Sequence, residues 1–149
     1  MINYSKLITM NNTIINLEFS YNWNKRTRKG KETGKLDCSC FSTLRIDQPK
    51  YQVGQVYRIV LETKNKTADV LGYARCIVKQ VFERDKLTEG VALLDTGYNR
   101  AECLDMLSRM YTNITSKTPM CFIILKYMTD KEIAEFSEST MAKNEMFTT

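Results

Sequence analysis

The chain contains no histidine. That absence removes Ser-His-Asp and Cys-His nucleophile pairs, HExxH metal sites and any imidazole general base. Acid–base chemistry would have to run on carboxylates, lysine, tyrosine or a thiolate. Glycine and proline are sparse, at 6 and 2 residues. No GxxxxGK[ST] loop and no dinucleotide fingerprint occur, which argues against a nucleotide hydrolase or a Rossmann dehydrogenase. No apolar run approaches the roughly 18 residues of a membrane span. The opening "MINYSKLITMNN" has no signal-peptide pattern. Five cysteines, an odd number, fit a reducing compartment better than a disulfide framework. A cytoplasmic protein is expected.

The 149 residues, 43% apolar and 26% charged, match one globular domain, 1–149. Net charge is +5, and it is localised. Between Lys25 and Lys35 lie Lys25, Arg26, Arg28, Lys29, Lys31 and Lys35 against Glu32 alone, so this segment carries the whole excess. Concentrated positive charge attracts phosphate, although a solvated loop would explain it equally well. Tyr21 and the single tryptophan, Trp23, stand just before it, available to stack on a base.

Strand patterns dominate the first half. "TIINLEFS" alternates Ile15, Leu17 and Phe19 with polar residues, "CFSTLRI" follows the basic segment, and "VYRIVLE" sets Tyr57, Ile59 and Leu61 on one face. Val70 to Phe82 reads as a long bent strand with Val70, Gly72, Ala74, Cys76 and Val78 on one face, Gly72 marking the bend. "CFIILKYM" reads as a buried strand. Helices are expected from Thr88 to Gly97, from Asn99 through Tyr111, and from the capping box Thr129–Glu132 to Phe136, with a frayed tail from about residue 138. The sum is an α+β fold with a small curved sheet or barrel, not a doubly wound parallel sheet.

Three constellations carry chemistry. Cys38 and Cys40 would share one strand face with Ser42; two thiolates fill half of a zinc shell, so core packing is the expectation and no metal is called for. Thr43 and Arg45, two apart, make a hydroxyl–guanidinium anchor for phosphate, carboxylate or a base edge, against the alternative of Arg45 pairing with Asp47. Glu102 stands at the third position of a helix capped by Asn99, where a capping box explains it and a general-base role is the other reading.

The order of these pieces resembles the ASCH-domain proteins of the PUA-like superfamily: T-x-R (Thr43, Arg45), V-G-x from Val53, L-G-x-A from Leu71, the helix Glu102–Tyr111, and a closing apolar strand. The resemblance spans about Leu17 to Met128, and "NWN" and "LDTGY" are similar to small phage and bacterial proteins of this kind. It implies a barrel of five to six strands flanked by two or three helices, a cleft along the T-x-R strand, and RNA or a modified nucleotide as ligand. No cofactor is expected. Some members deacylate N4-acetylcytidine with a lysine, a threonine and a glutamate; others are reported as ribonucleases. Thr43 and Glu102 fall on the threonine and glutamate, whereas Cys40 stands at the lysine position. The expected ligand contacts are Thr43, Arg45, Trp23, Tyr21, Arg26, Arg28, Lys29, Lys31 and Lys35. Three functions stay open: RNA or nucleotide binding, a hydrolase of the same fold, and a phage-type module that blocks a host protein in the host cytoplasm.

Overall fold

A computed structural model describes residues 13–20, 34–63, 65 and 67–147. The fold is α+β. In chain order come β1 (Ile15–Ser20), β2 (Cys40–Ile46), β3 (Val56–Glu62), β4 (Ala68–Glu83), α1 (Glu89–Thr96), α2 (Arg100–Met110), β5 (Pro119–Tyr127) and α3 (Asp130–Phe147). Short 3₁₀ turns occupy Gly34–Asp37 and Arg84–Lys86. The five strands form one sheet in the order β1-β3-β4-β5-β2. β1 runs parallel to β3, and every other pair is antiparallel. The sheet curls into a half-barrel that brings its edge strands, β1 and β2, to face each other. Phe19 of β1 and Phe41 of β2 meet edge to face at 6.1 Å between ring centroids.

The two faces of this sheet bury two cores. Inside the curve, Leu17, Phe19, Phe41, Tyr57, Ile59, Ala74, Cys76, Ile123 and Leu125 pack together. Outside it, Leu44 and Met120 pack with Leu87, Ala92, Cys103 and Leu107, which come from α1, α2 and the approach to α1. β5 contributes to both, and a strand covered on both faces must be apolar at successive positions. That is why "CFIILKYM" shows no alternation.

β4 departs from the face assignment that its spacing suggests. Gly72 pairs with Ile59 and Val70 with Val60, leaving Leu71 as an extra residue. Cys76 pairs with Leu125 and Val78 with Ile124, leaving Ile77 extra. Each bulge reverses the alternation, so of the five residues grouped by spacing, Gly72, Ala74 and Cys76 share the inner face and Val70 and Val78 do not. Val70 and Val78 are exposed on the other side. Gly72 marks the bend as expected: its φ is +154°, and an added Cβ would lie 3.3 Å from the Tyr127 ring.

Helix ends follow their local chemistry. The Thr88 hydroxyl accepts the Val91 N–H at 3.2 Å, and Gly97 closes α1 in the left-handed conformation at φ 75°. Thr129 and Glu132 form the reciprocal cap of α3. α3 continues past Phe136 to Phe147 rather than fraying near residue 138. The added stretch holds no glycine or proline and several good helix formers. Among the described residues, no helix is long and apolar enough to cross a membrane.

Candidate functional site

Thr43 and Arg45 share the inner face of edge strand β2, and the structure brings them together as expected. Thr43 is only 4% exposed. Arg45 Nε donates to its Oγ1 at 3.1 Å. Arg45 Nη2 donates to the Glu18 carbonyl of β1 at 2.7 Å, and the guanidinium lies 4.8 Å from the centre of the Phe19 ring. Arg45 therefore straps the two sheet edges across the mouth of the half-barrel. The alternative pairing with Asp47 is not adopted, because Lys79 takes Asp47 at 2.8 Å.

A second polar node forms beside it. The Gly34–Asp37 turn points Lys35 at the end of α1, where its Nζ donates to Asp95 Oδ1 at 2.9 Å and to the Asp95 carbonyl at 3.1 Å. The Ser42 hydroxyl donates to the same Oδ1 at 2.7 Å. A carboxylate in the last turn of a helix opposes the helix dipole, and the ammonium offsets this while capping an orphan carbonyl. The side chains of Lys35 and Asp95 are 18% and 4% exposed. Burial pulls the Lys35 ammonium below the usual lysine range; the attraction of Asp95 opposes this without overcoming it, and the nearby Arg45 charge adds to the depression.

Between these nodes opens a cleft of about 140 Å³. Lys35, Thr43, Arg45 and Asp95 supply its polar surface, and Phe19, Met106, Met110 and Tyr111 supply apolar surface. Lys35 and Arg45 stand against Asp95 and Glu18 in this lining, so its formal charges balance, while the thioethers and rings suit a flat apolar face. Burial raises the Tyr111 hydroxyl above its ordinary range, with Arg45 opposing. Burial shifts the Tyr51 hydroxyl the same way, with the Arg45 charge again opposing.

Glu102 does not join this cleft. Its Oε1 accepts the Asn99 N–H at 3.2 Å while Asn99 Oδ1 accepts the Glu102 N–H at 2.9 Å, a complete capping box. The carboxylate that reaches β2 is instead Asp95, which lies in "LDTGY" but was assigned no role. Its physical signal is an acid in the last turn of a helix, a position the dipole disfavours.

The cysteine expectation is also reversed. Cys38 and Cys40 are exposed, while Cys76, Cys103 and Cys121 are buried. The chain bends at Cys38 and Ser39, and β2 begins only at Cys40, so neither thiol reaches a core. Among the described residues, no three His, Cys, Asp or Glu side chains gather as a metal site. Tyr21, Trp23, Arg26, Arg28, Lys29 and Lys31 lie outside the described residues. No family model, curated protein or solved structure matches this chain.

Proposed function

We propose that the chain binds RNA, taking one base into the cleft beside Thr43 and Arg45. The observation that carries this reading is that Lys35, Thr43 and Arg45 line one cavity. Lys35 is the last cation of the basic Lys25–Lys35 segment. At about 140 Å³ the cavity falls below the roughly 300–1,000 Å³ of pockets for drug-sized ligands, and suits a single ring. A curved sheet with the T-x-R strand at its mouth agrees with what an ASCH/PUA-like barrel implies. The test is fluorescence anisotropy with a labelled single-stranded RNA. Lys35→Gln should weaken binding about tenfold, the loss of one charge-assisted contact. Unchanged affinity in Lys35→Gln would remove the cleft from the binding surface.

One observation favours a second reading, deacylation of a modified cytidine. The lysine missing at position 40 has a spatial counterpart in Lys35, which lines the same cleft as Thr43 and has a depressed pKa. Chromatography of N4-acetylcytidine incubated with the protein decides it. Release of cytidine that Thr43→Ala abolishes would establish the hydrolase; no release leaves binding alone.

A further inference from the structure

The β2–β5 ladder determines where each backbone group of β2 points. The Asp47 N–H donates to the Pro119 carbonyl and the Tyr127 N–H to the Ser39 carbonyl, both at 2.9 Å. The register pairs Phe41 with Leu125, Thr43 with Ile123 and Arg45 with Cys121. The hydrogen-bonded pairs of this antiparallel ladder therefore involve the odd-numbered residues of β2. The N–H and C=O of Ser42, Leu44 and Ile46 point the other way, out of the sheet edge.

Leu44 is the informative one. Its side chain packs in the outer core, it is 7% exposed, and it lines the cleft between Thr43 and Arg45. Among the described residues nothing pairs with its N–H or C=O. Nearly buried backbone groups are paired in the great majority of proteins, so an unclaimed donor and acceptor at a cavity wall call for a partner from outside.

We infer that the free edge of β2 at Leu44 reads the Watson–Crick edge of an unpaired nucleobase. The donor and acceptor of one extended residue lie side by side and point the same way. Every nucleobase carries an adjacent donor and acceptor on that edge, so one base satisfies both groups at once. In a duplex the same edge is consumed by pairing, and the cleft admits one ring. The ligand is thus single-stranded or flipped-out RNA, bound by backbone readout at Leu44 with the base faces against Met106, Met110 and Tyr111. This inference rests on the RNA-binding reading above and adds the strand state and the base edge.

The experiment uses the wild-type chain and a fluorescein-labelled single-stranded 12-mer of adenosine and cytidine. It is compared with the same 12-mer annealed to its complement and with one carrying 1-methyladenosine and 3-methylcytidine, whose edges are blocked. Amide exchange at Leu44 is followed by NMR with and without the unmodified strand. The expected result is binding about tenfold or more weaker for both altered RNAs, together with slowed Leu44 exchange in the complex. Equal affinity for the methylated strand, with Leu44 exchange unchanged, overturns edge readout while leaving RNA binding intact. No binding of any RNA overturns both.

Discussion

Replacing Asp95 by asparagine tests the Lys35–Asp95–Ser42 node directly. The substitution keeps shape and one acceptor oxygen but removes the charge that balances a largely buried ammonium. Removing one partner of a buried ion pair typically costs about 3–5 kcal/mol. Lys35 retains the Asp95 carbonyl at 3.1 Å and is 18% exposed, which places the loss at the low end. Relief of the unfavourable charge at the helix terminus returns about 0.3–1 kcal/mol. The net expectation is about 2 kcal/mol of lost stability, with the midpoint of thermal unfolding falling by about 4–8 °C. Urea denaturation should show a lower midpoint at unchanged slope, the signature of altered stability rather than altered compactness. The pair Lys35→Met and Asp95→Leu together should cost less than the sum of the two singles, because no orphan charge remains. If Asp95→Asn stays within about 0.5 kcal/mol of wild type, a range ordinary for surface changes, the node is not the buried pair described here.

Two further expectations concern pH and thiols. Burial raises the Cys121 thiol from 9.0 to about 12 and the Tyr127 hydroxyl from 10.0 to about 12. The folded state then holds protons that the unfolded chain releases, so stability is fully present below about pH 9 and declines between pH 9 and 12. Cys121→Ala should flatten that decline in urea titrations across the window, and an unaltered slope would refute the assignment. Separately, a disulfide reagent should react rapidly with two thiols, Cys38 and Cys40, and with the buried Cys76, Cys103 and Cys121 only on unfolding. Five fast thiols in the native protein would contradict the burial pattern.

Local chemistry was the legible part of this sequence. β1 and β3 follow from period-two alternation, β2 from a short strand-like run stopped at Asp47-Gln48-Pro49, and α1 and α2 from Thr88, Gly97, Asn99 and Glu102, because each signal lies within a few residues of its consequence. The bulges at Leu71 and Ile77 were not legible: Gly72 signalled a bend, but the one-residue phase change is set by pairing with β3 and β5. The same limit separates Glu102 from Asp95. Thr43 and Arg45 are neighbours along one strand face, so spacing alone unites them, whereas Asp95 meets Ser42 across 53 residues of chain. Cys38 missed the core because strand spacing was extended across a bend that lies outside the strand, whereas Cys40 begins β2 on the face of Ser42, as the spacing implies, and is exposed there.

β4 outruns its neighbours because it pairs with β3 over Ala68–Arg75 and with β5 over Ala74–Glu83, and the two bulges lie within that span. The strand spends sixteen residues on a register that skips Leu71 and Ile77. Deleting either residue would leave every cross-strand partner in place, whereas deleting Cys76 or Gly72 would remove a paired position. Single-residue gains and losses could thus pass through the middle of a sheet at these two points, as they ordinarily do only in loops. What such a deletion would take away is the local twist that bends the strand. The curvature that brings β1 toward β2, and so shapes the cleft, is in this sense stored as a surplus of chain rather than as any particular side chain.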